Sequence, residues 1–251
     1  MSAEVSAELR AVLRRLKLSP LLATLPERIA LARQRKLPYE GFLEIVLSDE
    51  VARRDRLAGE VRARAARLDP TMRLEAWDEE AQVSFDRELW AELTTLRFLE
   101  DAHNVLIMGP VGVGKTFMAS ALGHIACRRR RQVAFHRTDR LLKQLKAARL
   151  GATYEAEVRK LIRVDLLILD DFCLHALDAT ETGDIYEIVV ERHLRSSTVV
   201  TSNRDPSEWL QAMADPLLAR SAVDRLQSAA YELVVEGESY RRRQKPGRRT
   251  P

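Results

Sequence analysis

A chain of 251 residues with 46% apolar and 31% charged side chains, 10 Gly, 9 Pro and 2 Cys is long enough for a substantial core, which excludes collagen-like, disulfide-scaffold and wholly disordered classes. The net charge of +4 is unevenly held: residues 1–100 carry 17 Lys/Arg and 18 Asp/Glu, whereas residues 101–251 carry 24 and 19, with basic clusters at 128–149 and after Ser239. Counting His as neutral, the longest uncharged run is the thirteen residues from Ala102 to Gly114, too short for a bilayer span, and the first seventeen residues lack the basic-then-apolar order of a signal peptide. No membrane contact and a cytoplasmic location are therefore expected.

Over the first seventy residues apolar side chains recur at intervals of three and four: Val5, Leu9, Val12, Leu13 and Leu16, then Leu25, Ile29 and Leu31, then Phe42, Ile45 and Val46. That period predicts helices, punctuated by Pro20 and Pro38 and closed by Pro70. The expected organisation is a helical N-terminal domain over 1–70, a linker over 71–83 and an α/β domain over 84–251. On a helical wheel Arg53, Arg56, Arg64 and Arg67 share one face, beside Leu57, Val61, Ala65 and Leu68. A basic face of this kind is either a solvated surface or a contact for a polyanion such as DNA. Lys143, Lys146 and Arg149 form a second candidate surface.

Residues 84–100 read as another helical stretch. Short apolar runs then alternate with helical segments: strands are expected at 104–108, 132–136, 165–169, 197–201 and 230–235, and helices near 115–129, 138–149, 181–194 and, in two pieces, 207–227. Alternation of this kind predicts an α/β fold, a parallel sheet sandwiched by helices.

Residues 109–116, GPVGVGKT, match the P-loop pattern, with an apolar strand before and a helix after. Gly109, Gly112 and Gly114, with Pro110, Val111 and Val113 between them, let backbone N–H groups curl around phosphates, and the helix opening at Lys115, Thr116 and Phe117 adds its positive end. Lys115 is expected on the β and γ phosphates and Thr116 on Mg²⁺. The run LLILDDF, 166–172, ends in two carboxylates where a parallel strand meets the ligand edge, the form of a Walker B strand. Asp170 is the expected metal ligand and Asp171 the general base; an intervening strand, 132–136, indicates the P-loop ATPases with an inserted strand. The strand ending TSN places Asn203 at the same edge as a water-positioning amide.

The P-loop, LLILDDF, TSNRDPSEW, LLARSAVDRL and GESYRRR together resemble the AAA+ ATPases of the IstB and DnaC group, and the helical opening is more similar to IstB than to DnaC. The resemblance covers nearly the whole chain and implies an ATP- and Mg²⁺-dependent homo-oligomer or ring that binds double-stranded DNA and works with a transposase. It also implies that Arg225, in VDRL, is an arginine finger, with Arg220 as a rival, and that Arg241, in SYR, is the sensor-2 arginine. Two features depart from the family pattern. Asp171 stands where Glu is usual, one carbon or roughly 1.5 Å shorter, which suits slow hydrolysis. Only sixteen residues follow the last expected strand, too few for a full helical lid.

His124 and Cys127, three apart on one helix, have no further ligands at metal spacing, and Phe117, Ala121 and Ile125 read as core. No adenine pocket is legible. A DnaC-like helicase loader and a nucleotide-gated DNA scaffold with little hydrolysis remain open alternatives.

Overall fold

Three helices account for the N-terminal periodicity: α1 (Ala7–Arg15), α2 (Leu21–Arg35) and α3 (Tyr39–Ala65). Ser6 caps α1 by accepting the Leu9 N–H at 3.2 Å, and α2 ends where Lys36 takes a left-handed φ of 53°. The computed structural model describes residues 5–78 and 80–240 and forms two compact units, Met1–Ala58 and Gly59–Pro251, which meet inside α3. In the first unit Leu13, Leu21, Leu25 and Val46 make a small core, and Arg28 grips Asp49 through two bonds of 2.6 and 3.1 Å.

The second unit is built on a five-stranded parallel sheet of β2 (Asn104–Met108), β3 (Val133–Arg137), β4 (Leu166–Asp170), β5 (Ser197–Ser202) and β6 (Ala230–Val234), in the order β3-β4-β5-β2-β6. Strands β2, β4 and β5 are buried at every residue because helices cover both faces of the sheet; β2 and β4 accordingly read as nearly unbroken apolar runs, whereas β5 buries four hydroxyls, each hydrogen-bonded. Successive side chains divide between two cores. Leu106, Met108, Leu167 and Leu169 face α7 (Thr138–Leu150), α8 (Tyr154–Arg163), α9 (Ala179–Arg192), α10 (Pro206–Ala212) and α11 (Pro216–Gln227). Val105, Ile107, Leu166 and Ile168 face α4 (Arg87–Thr94), α5 (Arg97–Glu100) and α6 (Lys115–Arg128). Each fully buried Leu or Ile contributes about 2 kcal/mol of transfer free energy.

The expected fold class holds, with local corrections. Residues 84–100 are not one helix: β1 (Val83–Ser84) pairs antiparallel with β7 (Glu236–Gly237), and Asp86 then caps α4 by accepting the N–H groups of Glu88 and Leu89. Helix α8 lies between β3 and β4 where no helix was expected. The inserted strand β3 lies at the sheet edge, and the strand that separates β2 from β4 is β5.

The expected four-arginine face also changes. Helix α3 ends at Ala65 and Arg67 takes a left-handed φ of 63°, so Arg67 and Leu68 lie beyond the helix. Leu57 and Val61 are 47% and 66% exposed. The buried side of this stretch in the second unit is Gly59, Ala63 and Ala66, because small side chains admit close approach to the end of α6, where the Arg62 Nε donates to the Cys127 carbonyl at 2.8 Å.

Candidate functional site

Strand β2 runs straight into the P-loop, and two glycines there carry a steric demand. Gly109 has φ 146°, and a Cβ on it would collide with the Val235 carbonyl; Gly112 has φ 91°, and a Cβ would collide with the Ser239 side chain. The chain after β6 therefore lies directly over the loop, held by Val235 N–H to Met108 O at 2.8 Å and Tyr240 N–H to Gly112 O at 2.9 Å. Val113 turns into the core, whereas Val111 is 58% exposed. Helix α6 opens at Lys115, whose buried ammonium donates to Gly109 O at 2.6 Å and Pro110 O at 2.7 Å.

At the end of β4 the Asp170 carboxylate is 3% exposed and accepts from the Thr116 hydroxyl at 2.9 Å and the Thr201 hydroxyl at 2.6 Å. Burial pushes its carboxyl above the usual range, and the two hydroxyl bonds oppose that shift only in part. Asp171 follows in the left-handed region, φ 54°, an unfavourable conformation for a non-glycine residue. It is held there because its N–H donates to Thr201 Oγ1 at 3.0 Å and the next N–H, of Phe172, donates to Thr201 O at 2.8 Å. The Asp171 carboxylate stands 3.4 Å from the Arg137 guanidinium at the end of edge strand β3.

Lys115, Thr116, Asp171 and Arg137 open on one cavity of about 560 Å³, within the usual size of a small-molecule site. Its lining brings together Gly112, Gly114, Lys115, Thr116, Arg137, Asp171 and Asn203. Much of the opposite wall comes from the stretch expected as a linker, 71–83: Trp77 meets Phe117 edge-on at 5.3 Å between centroids, so Phe117 faces the cavity while Ala121 and Ile125 of the same helix are buried core. Sequence reasoning missed Thr201, Arg137 and Trp77. Only Thr201 left a signal, since it stands in the same TSN run as Asn203.

Other expected site residues lie elsewhere. Arg225 is on α11 with its guanidinium donating to the Ser221 carbonyl at 3.0 Å and to the Ser221 hydroxyl, and Arg220 is exposed on the same helix; neither lines the cavity. Arg241 lies outside the described residues. Arg53 is paired through two 2.7 Å bonds with the buried Glu50, whose carboxyl that pairing, with Arg54, holds down to about 2. Arg149 pairs with the buried Asp184 and stacks over the Tyr154 ring at 3.6 Å, so packing occupies it. Arg56, Arg64, Lys143 and Lys146 are exposed, Lys146 standing 3.6 Å from Asp178. His124 contacts the Asp69 carbonyl at 2.8 Å.

A family model described as IstB-like ATP binding protein matches residues 11–247. The chain is 36% identical over 243 residues to an insertion-sequence ATP-binding protein of Mycobacterium tuberculosis, covering 96% of this chain and 97% of that one. It is 33% identical over 238 residues to the ATP-binding protein of insertion sequence IS21 from Pseudomonas aeruginosa, covering 95% and 90%. Among solved structures, DnaI superposes with a TM-score of 0.55 at 21% identity over 66% of this chain and 89% of that chain. AMPPCP-bound DnaA from Aquifex aeolicus superposes with a TM-score of 0.54 at 24% identity, over 66% of this chain and 50% of DnaA. At those identities the likeness is one of fold.

Proposed function

The chain belongs to the IstB-like ATP-binding proteins of insertion sequences, and from that premise we propose that it is a slow Mg²⁺-dependent ATPase whose ATP-bound homo-oligomer holds double-stranded DNA and assists a transposase. One observation carries the enzymatic part: Lys115, Thr116, Asp171 and Asn203, from three separate sheet-edge segments, line one cavity, and the buried Asp170 is bonded to Thr116.

The P-loop amides and the α6 N-terminus bind the phosphates, and Lys115 neutralises the β and γ groups. Thr116 and Asp170 fit Mg²⁺, a hard ion that takes one or two protein oxygens and completes its shell with phosphate and water. An ion held by these two residues would offset negative charge on the phosphate oxygens. Asp171 accepts the proton of the water that attacks the γ phosphorus, Asn203 orients that water, and the bond to the ADP oxygen breaks. Two features favour slow turnover: the short Asp171 side chain and its ion pair with Arg137 at 3.4 Å. A finger from a neighbouring subunit, Arg225 with Arg220 as rival, stabilises the charge on the transferred group. The helical region 1–70, with the basic residues of α3, and separately the basic residues of α7 supply surfaces for DNA and the transposase.

The Arg137–Asp171 pair also favours a second reading, a scaffold that binds ATP and hardly hydrolyses it. Steady-state phosphate release, with and without duplex DNA, separates the two. The ATPase reading expects release above that of Lys115→Ala and stimulation by DNA; a rate equal to that of Lys115→Ala at saturating ATP with DNA present establishes the scaffold.

A further inference from the structure

Helix α10 begins four residues beyond the end of β5, and its Trp209 is wholly buried. The indole Nε1–H donates to the Ser202 hydroxyl oxygen at 3.0 Å. That oxygen also accepts the Arg204 N–H at 3.1 Å, and the hydroxyl donates its own hydrogen to the Phe172 carbonyl at 3.0 Å. A serine hydroxyl has one hydrogen and two lone pairs, so Ser202 is saturated and its rotamer is determined. The Phe172 ring packs edge-on to Trp209, 4.9 Å between centroids.

Ser202 and Arg204 flank Asn203, and Phe172 follows Asp171. One hydroxyl therefore joins the turn that carries the amide to the turn that carries the carboxylate. We propose that Ser202 and Trp209 are positioning residues for hydrolysis, setting the separation of the Asp171 carboxylate and the Asn203 amide across the attacking water. The proposal rests on the catalytic reading of Asn203 and Asp171 given above. Neither Ser202 nor Trp209 lines the cavity, so they act only through the two turns they tie. The arrangement suits the chemistry: two groups on separate strands must hold one water to within a fraction of an ångström, and a shift of about 1 Å costs about a hundredfold in rate. The short left-handed turn at Asp171 cannot do this alone, because its neighbour β5 ends at Ser202 and leaves Asn203 outside the ladder.

The test is a double-mutant cycle on kcat with nucleotide affinity measured in parallel. Trp209→Phe keeps an aromatic ring, smaller by the pyrrole portion, but removes the indole donor, and is expected to lower kcat by about tenfold while the Kd for ATP stays within about twofold. In an Asn203→Ala background the same change is expected to alter kcat by less than about twofold, because the group it positions is gone. Ser202→Thr retains the hydroxyl and is expected to keep more activity than Ser202→Ala; thermal melts identify any variant that is simply unfolded. Equal fold losses from Trp209→Phe in the parent and in Asn203→Ala overturn the proposal, since a general packing defect is additive. If Asn203→Ala itself hydrolyses at the parent rate, the role assigned to Asn203 fails and the positioning role falls with it, whereas loss of activity in Lys115→Ala still upholds the ATPase.

Discussion

The Thr201 hydroxyl donates to the Asp170 carboxylate at 2.6 Å, the shorter of the two hydroxyl bonds that this buried acid accepts. Thr201 is itself fully buried and belongs to the neighbouring strand β5, so the bond crosses the sheet at its ligand edge. Thr201→Val preserves shape and removes both the donor to Asp170 and the acceptor of the Asp171 N–H. Outer-shell partners of metal ligands commonly carry 10- to 100-fold in metal affinity, so the Mg²⁺ concentration for half-maximal ATPase should rise by about that factor. A Mg²⁺ titration of phosphate release checks it.

Asp171→Asn should bind ATP like the parent and lose hydrolysis by about 10²-fold or more, since Asp170, proposed above as the metal ligand, remains. Arg225→Ala should behave likewise if it acts across a subunit interface, and mixing the two variants should restore part of the activity through hybrid sites. Failed complementation with oligomers intact would transfer the role to Arg220.

DNA affinity should fall with salt, and the contributions of the arginines should differ. Arg56→Ala/Arg64→Ala and Lys143→Ala/Lys146→Ala should each lower the log–log salt slope by about two, because exposed cations release counterions when they meet phosphates. The Lys146–Asp178 pair is exposed and weak enough not to prevent this. Arg149→Ala, by contrast, should lower the melting temperature more than the slope, because it leaves the buried Asp184 without its cation. Fluorescence anisotropy of labelled duplex at several salt concentrations, with ATP present, reads both.

Arg192 is 1% exposed and donates to the carbonyls of Leu161, Ile162, Val164 and Ser197 and to the Thr198 hydroxyl. Burial lowers its guanidinium to about 10, so it remains charged at neutral pH. It joins the end of α8 to the start of β5. Arg192→Ala should cost about 3 kcal/mol or more, because several buried carbonyls lose their donor together. Urea unfolding with matched m-values measures it.

His136 of β3 is pushed down to about 4, mainly by burial and further by the Arg67 charge, with Glu157 opposing. The unfolded chain binds this proton near pH 6.5 and the folded chain only near 4, so stability is unaffected above 6.5 and is lost as pH falls from 6.5 to about 4. His136→Gln should flatten that acid limb of the melting temperature. An unchanged limb would assign acid sensitivity to other groups.

What the sequence determined by itself was local. The strand expected at 104–108 is the span of β2, and those expected at 165–169 and 197–201 fall within one residue of β4 and β5, because strands buried on both faces are rich in apolar and β-branched residues and a phosphate loop must be glycine-rich. The residues Lys115, Thr116, Asp171 and Asn203 were legible for the same reason: each stands at a strand end or helix start whose position follows from its neighbours. The partners that hold them were decided only by the tertiary structure. The order β3-β4-β5-β2-β6 places Thr201 beside Asp170 and Arg137 beside Asp171, and folds Trp77 of an apparent linker against Phe117. Hydroxyls, arginines and single tryptophans occur throughout the chain, and no spacing along it distinguishes those that a sheet order brings to one edge. The same holds for Arg53 and Arg149, whose charge is visible in the sequence and whose engagement with Glu50 and Asp184 follows only from packing.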